Sequence, residues 1–100
     1  MNDPADEQSA TDAVQVWLVE RTFSDDEQNL VVLTYATPDG SRDYRKERAL
    51  TSFTGDHRET LAAVRVPPSN LGTVSDPDTR EQYATEAARM AQHHDPDDTI

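Results

Sequence analysis

The chain has 100 residues, of which 20 are acidic and 9 are basic, so its formal net charge at pH 7 is −11. It contains no cysteine, which excludes disulfides, thiolate metal sites and a cysteine nucleophile. No apolar run approaches the ~18 residues that a membrane span requires, and the polar first residues differ from a signal peptide. We therefore expect a cytoplasmic protein with one folded domain and no membrane contact.

Composition also indicates a folded domain with a polar tail at each end. Residues 1–12 carry four acidic groups and no large apolar side chain after Met1, so we expect a disordered acidic tail there. A single α+β domain then spans residues 13–94. The acidic residues 95–100 form a flexible C-terminal tail.

Three strands are predicted in the N-terminal half. Residues 14–23 and 29–37 are rich in β-branched and aromatic side chains, which favour strands. The sequence TPDG ends at Gly40, which tolerates positive φ, and it predicts a turn. The third strand follows this turn over residues 41–50.

Two helices follow the strands. Asp56 and Glu59 have the spacing of a capping box and predict a short helix that continues through Val64. A longer helix begins after Asp76, an N-cap residue followed by proline, and runs to about His93. The expected fold is therefore α+β: a three-stranded antiparallel meander followed by a short helix and a longer C-terminal helix packed on the sheet.

The first two predicted strands are apolar on both faces, whereas a small antiparallel sheet usually has one wet face. The long helix can cover only one of the two faces. The other requires either the short helix with its neighbouring loop or a second copy of the protein. We therefore expect a homo-oligomer, specifically a homodimer, and a different protein partner is the alternative.

The third predicted strand is basic, unlike the rest of the chain. Alternation along a strand places four of its residues on one face: Arg42, Tyr44, Lys46 and Arg48. Arg45 lies on the other face, and all five are candidate ligand-binding or partner-binding residues. Cations around an aromatic ring form a surface on which a nucleic-acid base stacks while arginines hold phosphates. Asp43 and Glu47 interleave with these cations, and Glu20 and Arg21 lie on a neighbouring strand, so cross-strand ion pairs would explain the same cluster without a ligand. Contact with a protein partner is a third explanation.

No catalytic residue, cofactor site or metal site is predicted. The three glycines lie in turns, so there is no glycine-rich phosphate loop, and no nucleophile motif such as G-x-S-x-G occurs. His93 and His94 precede three aspartates, but adjacent helical residues point in different directions and do not converge on one ion.

The composition resembles that of haloarchaeal proteins, which work in a cytoplasm rich in potassium chloride. Aspartate outnumbers glutamate 13 to 7, and Lys46 is the single lysine beside 8 arginines. The segments VWLVERTFSDDEQNLVVLTYATPDG and REQYATEAARMAQ resemble the small acidic conserved-hypothetical proteins of haloarchaea. This resemblance implies a halophilic protein and brings no activity or cofactor with it. We expect a non-catalytic, self-associating interaction module. The alternative is a small nucleic-acid-associated or regulatory protein that uses the basic third strand.

Overall fold

The computed structural model of the protein describes residues 12–24, 30–49 and 60–100. In chain order the elements are β1 (Val14–Ser24), β2 (Leu30–Ala36), β3 (Arg42–Ala49), β4 (Ala63–Val66), a 3-10 turn (Pro68–Asn70), β5 (Gly72–Thr73) and α1 (Pro77–His93). The strands form one antiparallel sheet in the order β4-β1-β2-β3-β5. The α+β class is confirmed. The prediction of three strands is wrong, because β4 and β5 extend the meander at its two edges.

The central meander follows local signals. β2 and β3 are joined by the predicted turn, in which Gly40 has a φ of 74° and donates its N–H to the carbonyl oxygen of Thr37 (2.8 Å). The carboxylate of Asp39 fixes the same turn by accepting from Thr37 Oγ1 (2.7 Å) and from the N–H of Ser41 (3.0 Å). β2 and β3 then pair without a break in register.

β1 does not keep one alternation along its whole length. Its pairing with β2 shifts register between Leu18 and Glu20, so Val19 forms a bulge. Beyond the bulge Arg21, rather than Glu20, lies on the face of Leu18. Simple alternation of faces along β1 therefore does not hold beyond Val19.

The predicted short helix is replaced by a strand where it can be checked. Residues 50–59, which hold its capping box, lie outside the described residues, whereas Ala63 and Val64 belong to β4. β4 pairs with the outer edge of β1, with Val64 opposite Val16. Strand pairing satisfies the backbone groups of both segments, and a helix at this position would leave the edge of β1 unpaired.

α1 matches the predicted longer helix. Asp76 caps its N-terminus by accepting from the N–H of Thr79 (3.0 Å). The helix packs against β1 and β2. Ala87 and Met90 are buried on its inner face, whereas Ala88 and Ala91 are exposed.

One face of the sheet, which we call the helix face, carries buried side chains from its two central strands. The register places Trp17 opposite Ala36, and Thr34 follows on the same face. All three are at most 7% exposed. Because α1 lies against the strands that carry them, we infer that it covers this face.

The opposite face, which we call the cavity face, carries Leu33 and Tyr35 of β2, both at most 3% exposed. Across the described residues, Phe23 is the one large hydrophobic side chain that is exposed. That part of the chain therefore leaves no bare apolar sheet face in need of a second copy. Self-association stays a prediction, but an uncovered apolar sheet face no longer supports it.

Residues 95–100, predicted as a flexible tail, run beside the segment that leads into β4. The N–H of Ala62 donates to the carbonyl oxygen of Asp98 (2.8 Å), and the N–H of Ile100 donates to that of Thr60 (2.7 Å). The side chain of Ile100 packs against the hydrophobic core. This segment thus adds a short backbone pairing outside β4.

Residues 1–11 of the predicted acidic tail lie outside the described residues. Within the described ranges, no helix is long and apolar enough to cross a membrane.

Candidate functional site

The sheet is strongly curved. β4 and β5 lie at opposite edges, four strand spacings apart, which would amount to ~19 Å in a flat sheet. The connection between them, residues 67–71, contains a 3-10 turn with a rise of only ~2 Å per residue, so it reaches no further than ~16 Å. The two edges must therefore approach each other, and the sheet bends to allow it.

A cavity of about 230 Å³ lies on the inner side of this curve. Both β3 and β4 line it, although β1 and β2 separate them in the sheet. Its lining consists of Tyr35, Tyr44, Lys46, Arg48, Leu61, Val64, Arg65 and Val66. We call it the basic cavity, because Lys46 and Arg48 of β3 line it on this face and no described lining residue is acidic. Arg65 lines it from β4, but its register opposite Gln15 places its side chain on the helix face.

The charge of the basic cavity is opposite to that of the chain. With 20 acidic and 9 basic residues, a lining of average composition would hold about twice as many carboxylates as cations. Among the described lining residues, the charged ones are all cations. Lys46 and Arg48 of β3 thus form a positive patch beside the cavity in a protein whose net charge is −11.

The five predicted binding residues do not all reach this cavity. Tyr44, Lys46 and Arg48 line it, as their shared face on β3 predicts. Arg42 alternates onto the same face but is not part of the lining, and Arg45 lies opposite Thr34 on the helix face. The sequence pattern was therefore correct about the shared face and could not show where the sheet closes.

Two lining residues were missed by the sequence analysis. Tyr35 lies directly opposite Tyr44 in the β2–β3 pairing, and counting outward from the predicted turn would have placed it there. Arg65 could not be found in this way, because it lies on β4, which the pattern assigned to the end of a helix.

Two tyrosines form the aromatic part of the lining. Tyr35 is 3% exposed, and its hydroxyl donates to the carbonyl oxygen of Leu61 (2.9 Å). Burial raises the pKa of Tyr35, and the nearby Arg48 partly offsets this. The ring of Tyr44, which is half-buried, lies 6.3 Å from that of Tyr35 between centroids, at an angle of 42°. Tyr35 is thus a fixed, neutral support for the more accessible Tyr44.

The three cations differ in their partners. Arg48 Nη1 donates to Thr60 Oγ1 (3.4 Å), and Arg65 Nη2 donates to the carbonyl oxygen of Ala13 (3.1 Å). Lys46 is exposed, and no hydrogen bond or ion pair joins its ammonium to another described residue. Lys46 is therefore the cation of this lining that is ready to contact a ligand.

The predicted cross-strand ion pairs between β3 and β1 are not formed. β2 lies between these strands and carries no charged residue, so Glu20 and Arg21 are not neighbours of the β3 cations. Among the described residues, no ion pair joins β3 to β1. Pairing of this kind therefore does not account for the basic third strand.

Two acidic features lie elsewhere. A groove of about 640 Å³ between β1 and α1 is lined by Val19, Glu20, Asp78, Glu81, Gln82, Tyr83, Thr85 and Glu86. Near the C-terminus, carboxylate oxygens of Asp95, Asp97 and Asp98 lie within 4.8 Å of one another, and His94 Nδ1 is 3.6 Å from Asp98. Such groups are mainly solvent-exposed, and exposed acidic groups are common without a bound ion.

The chain belongs to a family of unknown function (DUF7967), whose profile matches residues 10–100. No curated protein and no solved structure matches it. The geometry of the basic cavity is therefore the basis for assigning a function.

Proposed function

We propose that this member of the DUF7967 family is a non-catalytic binding module that holds a phosphate-bearing ligand in the basic cavity. The observation that carries the proposal is the lining itself, in which Lys46 and Arg48 share the cavity face and no described residue is a carboxylate, in a chain of net charge −11. A phosphate monoester carries a charge of about −1.5 to −2, so two or more cations are needed to neutralise it.

The two cations on β3 are suited to different parts of such a group. The guanidinium of Arg48 is planar and presents donors in a fork that matches phosphate or carboxylate oxygens. The ammonium of Lys46 acts as a mobile point charge at the exposed end of the cavity. Together they favour a dianionic group over a single carboxylate.

Binding, rather than catalysis, is what the lining supports. The cavity offers no carboxylate, histidine, serine or threonine side chain as a nucleophile or general base within the described residues. The buried phenol of Tyr35 is held by the carbonyl oxygen of Leu61, and its raised pKa keeps it neutral.

The composition also indicates the salt conditions in which this module works. An excess of aspartate over glutamate and a single lysine are typical of haloarchaeal proteins, so we propose that it works in a cytoplasm with molar potassium chloride. At ~1 M salt the Debye length is ~3 Å, and exposed charges no longer attract phosphate at a distance. A cavity that holds its cations close to the ligand is then more effective than an open basic surface.

Isothermal titration with pyrophosphate in 2 M KCl tests the proposal. We expect saturable binding to one site, and Lys46→Gln should weaken it about tenfold, since a charged hydrogen bond contributes ~1.5–3 kcal/mol before screening. The matched control is Arg45→Gln, which removes the same charge from the same strand on the opposite face and should change the affinity less than twofold. Absence of saturable binding, or an equal loss in both variants, would refute the proposal.

A further inference from the structure

Resting on the proposed function, we infer that the ligand of the basic cavity is a nucleoside monophosphate, either free or at the end of a single strand. Its base stacks on the ring of Tyr44, and its phosphate contacts Lys46 and Arg48. Three observations carry this assignment: the order of side chains on β3, the support of the Tyr44 ring, and the size of the cavity.

The order of groups along β3 matches the order of groups in a nucleotide. Tyr44, Lys46 and Arg48 follow one another on the cavity face at intervals of two residues, or ~6.6 Å. An aromatic ring is thus followed by an ammonium and then by a guanidinium. A nucleotide carries a planar base at one end of its sugar and a dianionic phosphate at the other, so both ends meet suitable groups at once.

The ring of Tyr44 is prepared for stacking. It packs beside the ring of Tyr35, which is 3% exposed and fixed by its hydrogen bond to Leu61. A ring held in this way loses little conformational freedom when a base binds. Stacking is also insensitive to salt, whereas phosphate contacts weaken as salt rises, so an aromatic contact gives affinity that molar KCl does not remove.

The size of the cavity sets the length of ligand that fits. At about 230 Å³ it is smaller than the ~300–1,000 Å³ typical of pockets that enclose a drug-sized ligand. It can therefore take one nucleotide in part, and not a run of stacked bases. The negative charge of the surrounding chain further opposes a long polyanion.

The test compares adenosine 5′-monophosphate with ribose 5-phosphate by titration in 2 M KCl. We expect the nucleotide to bind roughly tenfold more tightly, because stacking on one aromatic ring has about this effect. Tyr44→Leu should lower the affinity for the nucleotide to that for ribose 5-phosphate. The affinity for ribose 5-phosphate should not change. Tyr44→Phe, which keeps the ring, should bind the nucleotide like the wild type. The matched control is Tyr83→Leu, which changes a half-buried tyrosine on α1 away from the cavity and should have no effect.

The outcomes separate this inference from the proposed function. Equal binding of nucleotide and ribose 5-phosphate would overturn the inference while the phosphate site stands, and no binding of any phosphate probe would overturn both. Tetranucleotides with and without a 5′-phosphate distinguish the source of the ligand. Preference for the phosphorylated strand indicates a strand end, and binding of the mononucleotide alone indicates a free nucleotide. Equal binding of the two tetranucleotides would show recognition of internal phosphates and would contradict the inference.

Discussion

Replacing Gly40 with alanine should destabilise the fold more than any other glycine substitution in the described residues. Gly40 has a φ of 74°, and a Cβ added there would lie 2.1 Å from the carbonyl oxygen of Arg80 and 2.9 Å from the N–H nitrogen of Ala84. Both atoms are backbone of α1, so they cannot rotate away. The left-handed conformation costs alanine ~1–2 kcal/mol, and overpacking adds ~1–3 kcal/mol. The expected loss is therefore about 2–5 kcal/mol, a large part of the ~5–15 kcal/mol that a domain of this size has.

Denaturant titration in 2 M KCl, followed by circular dichroism, measures this loss. Gly72→Ala is the matched control, because Gly72 has no positive φ and its added Cβ would lie 3.1 Å from the side-chain carboxylate of Asp43 and 4.0 Å from its carbonyl oxygen. We expect that variant to stay within ~0.5 kcal/mol of the wild type. Gly40→Asn separates the two causes, since asparagine tolerates the left-handed region but keeps the Cβ. A midpoint for Gly40→Ala equal to the wild type would refute the reasoning, and full rescue by asparagine would refute the contact with α1.

Three further changes in stability are expected. Tyr35→Phe removes the hydrogen bond to Leu61 and should lower the free energy of unfolding by ~1 kcal/mol. An unchanged urea unfolding curve would contradict this role of the hydroxyl. Hydrogen bonds from Thr37 and Ser41 hold the pKa of Asp39 at about 2, below its usual 3.8. The stabilisation from Asp39 is therefore complete above pH ~4 and is lost as the pH falls toward 2. In urea titrations, the free energy of unfolding of Asp39→Asn should differ from that of the wild type at pH 5 and converge with it near pH ~2. Lowering KCl from 2 M to 0.1 M should lower the melting temperature, because the Debye length rises from below ~3 Å to ~10 Å and self-repulsion grows; a higher melting temperature in low salt would refute this.

Local sequence signals specified the parts of the fold that depend on neighbours in the chain. The turn at Gly40 requires positive φ, and the start of α1 requires the cap from Asp76, so both could be read from a few residues. β4 and β5 could not, because they are only four and two residues long and are defined by the strands that they pair with. The bulge at Val19 is equally invisible in the sequence, since one extra residue on β1 is recognised only against its partner strand.

The same distinction explains the candidate site. Alternation on β3 predicted that Tyr44, Lys46 and Arg48 share a face, and the structure has them together. It could not predict that the sheet curves until β4 faces β3, because that depends on the short connection between the sheet edges. Hence Arg65 was missed, and Arg42, at the start of the strand, was grouped with Tyr44, Lys46 and Arg48 although only those three line the cavity.

Salt dependence of ligand binding follows from the contrast between the basic cavity and the rest of the chain. The radius of gyration is 14.8 Å, and at this distance charges of −11 and −2 repel by about 6 kcal/mol in water without salt. Screening reduces this to about 1 kcal/mol at 0.1 M and to a negligible value at 1 M. The repulsion is already almost fully screened at 0.5 M KCl, so between 0.5 and 2 M only the contact with one phosphate weakens, and the affinity for adenosine 5′-monophosphate should fall no more than about threefold.

A single strand held through two phosphates should behave differently over the same range. Counterion release would then lower its affinity roughly sevenfold for a fourfold rise in salt. Titration of the mononucleotide and of a 5′-phosphorylated tetranucleotide at 0.5, 1 and 2 M KCl distinguishes the two cases, with Lys46→Gln as the variant that lacks the exposed cation. A steep fall in mononucleotide affinity would mean that exposed charges dominate binding, and it would contradict the enclosed site that the curvature of the sheet creates.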